Sequence, residues 1–217
     1  NEALANDGKP LKFANPSSFG VGTDWQDAIF NSAARTSHEF SISGGNEKST
    51  FYSSFGYYDQ EGIVMKDISY YKRMNVRLNS THKVLDWLTV GQTFSYTHNK
   101  SQGIAGNDEF GGPLSSAINL DPITPVVVTD WTKVDPSYYT SPYIVRDPNG
   151  NPYGISQYVG QEMTNPLAFK YTQLGRYGWS DDLVGNAYAE VKFLKHFTFK
   201  PTINGKLAYW GNQGFSL

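Results

Sequence analysis

Six aromatic residues between positions 131 and 158 have the side chains best suited to recognition: Trp131, Tyr138, Tyr139, Tyr143, Tyr153 and Tyr158. Flat rings with a polar tip can stack on sugar rings or seat a partner protein. The segment that carries them reads as a long connection, and binding groups are often set on loops held by a stiff scaffold. The alternative use of the same rings is as the connection's own small core.

Catalytic and metal chemistry find less support. Asp147-Pro148-Asn149-Gly150-Asn151 carries side-chain oxygens at alternate positions, as a calcium loop does, but Pro152 stands where that loop needs glycine and Tyr158 where it needs glutamate. A Pro-Asn-Gly turn explains the segment. His38, His82, His98 and His196 show no H-x-H or H-E-x-x-H pairing and read as polar residues at strand ends. Asp108-Glu109 and Asp181-Asp182 fit solvated carboxylates, the second pair at a strand entrance, and no G-x-S-x-G elbow occurs. The chain has no cysteine, so thiol catalysis, thiolate metal sites and disulfides are excluded. No catalytic residue, metal or cofactor is expected, and the chain does not read as an enzyme.

The 217 residues, 39% of them hydrophobic, suit one ordered domain of moderate size. With 18 Lys and Arg against 20 Asp and Glu and no basic run, nucleic acid is not an expected partner. The longest apolar runs, Ile63-Val64-Met65 and Val126-Val127-Val128, fall far short of the ~20 residues of a membrane-spanning helix. A membrane β-barrel would escape such a test, because its strands alternate. The chain opens on Asn1-Glu2-Ala3-Leu4 without an initiator Met or a signal segment and closes on Gly214-Phe215-Ser216-Leu217, which reads as part of a longer protein.

Two-residue alternation dominates the chain. Tyr70, Lys72, Met74, Val76 and Leu78 interleave with Tyr71, Arg73, Asn75 and Arg77; then Leu88, Val90, Gln92, Phe94 and Tyr96 interleave with Thr89, Gly91, Thr93, Ser95 and Thr97. A second hairpin sets Leu183, Gly185, Ala187, Ala189, Val191 and Phe193 against Asp182, Asn186, Glu190 and Lys192, followed by Phe197, Phe199, Ile203, Leu207 and Tyr209 against Thr198, Lys200, Asn204 and Lys206. Upstream, Phe40 and Ile42 alternate with Glu39, Ser41 and Ser43, while the faces of 49–58 are not distinguishable. This predicts an all-β chain: a loop with a short helix over 1–34, four strands over 35–98, a long loop over 99–178, and two strands over 179–217. The short helix is expected from a capping box at Thr23-Asp24-Trp25-Gln26, with Trp25 as its anchor.

Tight turns at Gly44–Lys48, Val84–Trp87 and Leu194–His196 alternate with longer connections at 59–69 and 99–178. That is the organisation of an up-and-down antiparallel outer-membrane barrel, with turns on one rim and loops on the other. The two hairpins echo each other, Val84–Val90 aligning with Phe193–Phe199. Trp87, Phe193 and Phe197 cluster at the turn end and Tyr57, Tyr70, Tyr96, Trp179 and Tyr209 at the loop end, as interfacial girdles would. On the apolar faces Lys72 is the one expected charge, close to the loop end where it can snorkel. Gln92 on that face and Pro201 in the last strand run against the pattern, the latter calling for a bulge. A soluble extracellular glycan-binding β-domain is the competing reading, since its strands alternate in the same way.

Three stretches then carry a family resemblance: Gly44-Gly45-Asn46-Glu47-Lys48-Ser49-Thr50-Phe51-Tyr52, Gly56-Tyr57-Tyr58-Asp59-Gln60-Glu61-Gly62-Ile63, and Tyr71-Lys72-Arg73-Met74-Asn75-Val76-Arg77-Leu78-Asn79. Together they resemble the barrel of SusC/RagA-type TonB-dependent transporters. Thr23–Phe30, Asp121–Pro125, Asn165–Ala168 and Gly185–Tyr188 match in order over nearly the whole chain. The resemblance implies a Gram-negative outer-membrane location and import of oligosaccharides or peptides. It also implies a SusD-like surface lipoprotein, energy from the TonB system, and about six strands of a larger plugged barrel whose plug and remaining strands this segment lacks. In that setting the apolar faces meet outer-membrane lipid, and Arg73, Asn75, Arg77, Glu190 and Lys192 are expected to face the lumen. The loop over 99–178, with its six aromatic residues, is expected outside the cell.

Overall fold

The computed structural model describes residues 2–10, 13, 15–104, 111–160 and 163–215. The acidic pair Asp108-Glu109 lies outside the described residues, as do the terminal Asn1, Ser216 and Leu217. The chain divides into two units, one of Asn1–Ile29 with Gly106–Thr172 and one of Phe30–Ala105 with Gln173–Leu217.

The second unit is an antiparallel sheet of β1 (Arg35–Gly45), β2 (Ser49–Glu61), β3 (Tyr70–Leu85), β4 (Leu88–Gln102), β5 (Tyr177–Phe193), β6 (Phe197–Phe199) and β7 (Thr202–Gln213). β1 to β6 pair in sequence order, and β7 pairs with β5 alongside β6. The strands outrun the sequence expectation. β4 continues to Gln102, beyond the expected 98, and β5 begins at Tyr177, before 179, so the long connection is shorter at both ends. At 16 residues in β3 and 17 in β5 they exceed the ~9–11 residues that cross a hydrocarbon layer.

Register sorts the side chains cleanly, because directly opposed residues share a face. Phe40, Phe55, Val76, Tyr96, Leu183 and Leu207 form one row across the sheet, and Ile42, Ser53, Leu78, Phe94, Gly185 and Gly205 the next. The faces of 49–58 are thereby settled: Phe51, Phe55 and Tyr57 join the apolar face, Tyr52 and Tyr58 the polar one. The apolar band stands open, with Ile203 78% and Phe40 68% exposed, which no soluble sandwich would leave uncovered.

Two expectations need correction here. Pro201 causes no bulge: the register of β6 on β5 continues unshifted into β7, Ala189 donates to the Pro201 carbonyl at 3.2 Å, and only the reciprocal bond lacks a donor. The bulge lies at Val84 instead, between Lys83 and Leu85, next to the Asp86-Trp87 turn that the Lys83–Asp86 ion pair closes at 2.7 Å. Nor is Lys72 the one charge on the apolar face. Its row, just past the tyrosines, also holds Asp59 and Lys100, and Lys72 pairs with Asp59 at 3.0 Å. Gln92 does lie on this face and donates to Ser80 across the β3–β4 pair at 3.4 Å.

The first unit opens with α1 (Glu2–Asn6) and folds around α2 (Trp25–Ile29) and α3 (Pro113–Asn119), with Trp25, Ile29, Ala117, Leu120 and Val128 buried. Asp24, not Thr23, caps α2: its carboxylate accepts the Asp27 N–H at 2.9 Å, while the Thr23 hydroxyl donates to the Thr124 carbonyl. Trp25 is the anchor, 3% exposed, its indole N–H donating to the Asp121 carbonyl at 2.9 Å. Asp121 also accepts the Thr124 N–H and the Ser156 hydroxyl, and Asn165 donates to the carbonyls of Val126 and Gly154 while its own oxygen accepts the Leu167 N–H. These side chains satisfy backbone groups that have no ladder to join.

Candidate functional site

Arg73, Asn75 and Arg77 on β3 and Glu190 and Lys192 on β5 share the polar face of the sheet. Their surroundings differ. On β5, Lys192 lies 3.8 Å from Glu190, and Lys206 on β7 lies 3.9 Å from Asp182, so charge there is locally matched. Around Arg73 and Arg77 on β3 no acidic partner stands among the described residues. Arg73 opposes Tyr58 on β2, and the guanidiniums of Arg35 and Arg73 sit 5.2 and 5.6 Å from the Tyr58 ring centroid. Both guanidiniums lie within the ~6 Å range of a cation–π contact with this ring. Tyr71 donates to Asn99 at 2.7 Å and Asn99 to Ser180 at 3.1 Å, extending a polar surface across β3, β4 and β5.

A second polar-face cluster lies toward the tight turns. Tyr188 opposes Gly91, its hydroxyl is 3.2 Å from the Thr81 hydroxyl, and the Lys200 ammonium stands 4.1 Å over its ring. Arg35, Tyr58 and Tyr188 were not singled out from the sequence. The alternation of Tyr188 with Ala187 and Ala189 was the available signal for the last of them, whereas Tyr58 sits in a strand with aromatic residues on both faces.

Asp181 and Asp182 do not act together, because successive strand residues point to opposite faces. Asp181 is on the apolar face, where Tyr96 donates to it at 2.5 Å and His98 lies at 2.8 Å; Asp182 is on the polar face beside Lys206. The Asp147 carboxylate accepts the N–H groups of Asn149 and Asn151 at 2.9 and 2.8 Å, and Gly150 takes a φ of 86°. This is the expected turn. Burial raises the Asp147 pKa, but the bonds from Asn151 and Asn149 outweigh it and hold the carboxyl below its usual value.

The six aromatic residues of the first unit divide by environment. Tyr139 is buried, its oxygen accepts the Ile155 N–H at 2.9 Å, and burial raises its pKa. Tyr153 packs against Tyr171 at 6.3 Å and Tyr158 against Phe13 at 5.3 Å, so these rings have structural contacts. Trp131 touches Tyr139 edge-on at 5.5 Å yet remains half exposed, as does Tyr138, and Tyr143 is 90% exposed. The exposed members, Trp131, Tyr138 and Tyr143, are the ones available to a ligand or partner.

No family model matches the chain. Among curated proteins it is similar to the TonB-dependent receptor SusC of Bacteroides thetaiotaomicron, 29% identical over 201 residues, which covers 89% of this chain and 19% of that protein. It is also similar to the TonB-dependent receptor P26 of Formosa agariphila, 28% identical over 206 residues, 93% of this chain and 18% of that one. The RagAB peptide transporter shares the fold, with a TM-score of 0.58 and 24% identity over 88% of this chain and 19% of that chain. The chain spans about a fifth of the length of the curated relatives it matches. The resemblance read from the sequence holds as a similarity: the chain is similar to SusC-type TonB-dependent receptors of the outer membrane, and its up-and-down antiparallel sheet has the fold of part of the RagAB barrel.

Proposed function

We propose that this chain forms part of the wall and outer mouth of a TonB-dependent importer of large nutrients, oligosaccharides or peptides, working with a SusD-like surface lipoprotein. The observation that carries this reading is the register, which gathers the apolar side chains into a band on one face, crossed by the Gln92–Ser80 pair, and sets a hydrogen-bonding, charged surface on the other. In a barrel the apolar face meets lipid and the polar face lines the lumen. Arg73, Asn75, Arg77, Glu190 and Lys192 are then lumen residues. The long connection leaves β4 after Gln102 and rejoins β5 at Tyr177, strand ends opposite the tight turns, and in this reading that end of the sheet faces outside the cell.

The segment's work is binding and guidance; it performs no covalent chemistry. Energy from TonB acts on the whole transporter. Protease treatment of intact cells carrying the full-length transporter tests the topology: cleavage between residues 111 and 160, with Gly44–Lys48 spared, is expected, and cleavage confined to the tight turns would invert it. Deleting Trp131–Tyr158 should lower growth on the cargo as sole nutrient at matched surface abundance. Unchanged growth would remove this segment from uptake.

A further inference from the structure

The chain carries a net charge of −2, yet the polar face near the loop end is locally positive. Among the described residues no carboxylate lies within ion-pair distance of Arg35, Arg73 or Arg77, whereas Lys83, Lys192 and Lys206 on the same face each have an acidic partner. Glu39 and Asp182 occupy the row between Arg73 and Arg77, each two strands away from β3 and about 10 Å to the side, and Asp182 is matched by Lys206. Two guanidiniums against one tyrosine ring repel each other, and that arrangement invites an anion from outside the sheet.

The neighbouring surface narrows what the anion belongs to. Arg73, Asn75, Arg77, Ser95 and Thr97 line a cleft of about 270 Å³. Its side chains on this face are guanidiniums, an amide and hydroxyls; Val76 belongs to the apolar face. Arg73 and Arg77 are four residues apart on one strand, roughly 13 Å along its axis. Guanidiniums grip carboxylates through paired N–H donors, while amides and hydroxyls suit ring hydroxyls. An apolar peptide side chain would find no pocket there.

We propose that the Arg35–Tyr58–Arg73 stack and Arg77 form a track for the carboxylates of an acidic oligosaccharide. This deepens the importer reading and rests on the polar face lining the lumen. The track sets charge preference, and the neutral side chains between its cations set preference for a sugar over another polyanion.

The test uses the full-length transporter in outer-membrane vesicles with Ser95→Cys as its reactive thiol. Labelling rates are measured for a sulfonate-bearing and a quaternary-ammonium-bearing methanethiosulfonate, each normalised to its rate on a free thiol. The anionic reagent should react about tenfold faster at low salt, and the preference should shrink as salt screens the field. Arg73→Gln with Arg77→Gln should abolish the preference, and the corresponding lysine variants, which keep the charge, should retain it. Tetragalacturonate should slow labelling, and its methyl ester and tetraglutamate should not. Equal rates for the two reagents in the parent protein would overturn the track, as would no protection by tetragalacturonate. Equal protection by tetraglutamate would overturn the sugar assignment. Failure of both reagents to reach Cys at this position would instead contradict the lumen reading itself.

Discussion

Tyr188 lies across Gly91: a Cβ built at Gly91 would stand 2.4 Å from the tyrosine ring. The two residues oppose each other on β4 and β5, and the same ring reaches Thr81 on β3 and underlies Lys200 at the β6–β7 junction. One aromatic side chain thus ties neighbouring strands together on the polar face, and the missing side chain at Gly91 is what lets it lie flat.

Gly91→Ala should push the ring away from Thr81 and Lys200, at a cost of about 1–3 kcal/mol. Tyr188→Phe, which removes only the hydroxyl contact, should cost about 1 kcal/mol. Thermal unfolding of the full-length barrel, followed by its heat-dependent shift in gel mobility, should rank the parent above Tyr188→Phe and Tyr188→Phe above Gly91→Ala. An unchanged midpoint for Gly91→Ala would show that the ring is not held there.

Asn165 is a staple of the first unit, its side chain bonding two carbonyls and capping the helix that begins at Pro166. Asn165→Ala leaves the Gly154 carbonyl and the Leu167 N–H without these partners, while the Val126 carbonyl keeps the Gly154 N–H at 3.0 Å, and should destabilise the unit by about 2–4 kcal/mol. Hydrogen exchange should quicken over residues 111–160 while β3, β4 and β5 keep their protection. Faster exchange in the strands as well would mean that the two units unfold together.

The exposed and buried aromatic residues should separate in mutagenesis. Tyr139→Ala removes a buried ring and should cost about 3–5 kcal/mol. Tyr143→Ala should change stability by no more than about 0.5 kcal/mol. If Tyr143, with Trp131 and Tyr138, receives cargo or the lipoprotein, its loss should lower uptake without lowering surface abundance. Normal uptake in a triple alanine variant would leave these rings without a binding role.

Acid should loosen the cap at Asp135. The Ser137 backbone N–H bond holds the Asp135 carboxyl below its ordinary value of 3.8, and the turn around Thr132 does the same for Asp130. A folded value below the unfolded one means that the contribution is present above pH 3.8 and is lost as pH falls through the folded value. Exchange protection of the Ser137 amide, corrected for the intrinsic effect of pH, should therefore be flat at neutral pH and fall in that acid range. Asp135→Asn should flatten the curve. Protection that grows with acid would contradict the assignment.

Strand identity was legible from alternation alone wherever one face is apolar and the other charged, as at Met74-Asn75-Val76-Arg77. It failed at 49–58, where Tyr52 and Tyr58 alternate with Phe51, Phe55 and Tyr57, and only pairing with β3 sorts them. Pro201 looked disruptive because a proline lacks a donor, but losing a single ladder bond leaves the register intact. The loop side chains that staple the first unit were legible only as resemblance: Asp121 reaches Ser156 and Asn165 reaches Val126, pairings too distant in sequence for any local pattern to announce. The Arg35–Tyr58–Arg73 stack was hidden for the same reason, since it joins three strands.

Adjacent residues on β3 give the most direct test of the account, because Asn75 and Val76 share a backbone environment and differ in the face they occupy. Cysteine placed singly at each position in the full-length transporter is exposed to a membrane-impermeant thiol reagent on intact outer membranes. Asn75→Cys should label rapidly from water and Val76→Cys should stay protected, with the order reversed for a small lipid-soluble maleimide. Faster aqueous labelling at position 76 than at 75 would contradict both the lipid-facing band and the lumen that depends on it.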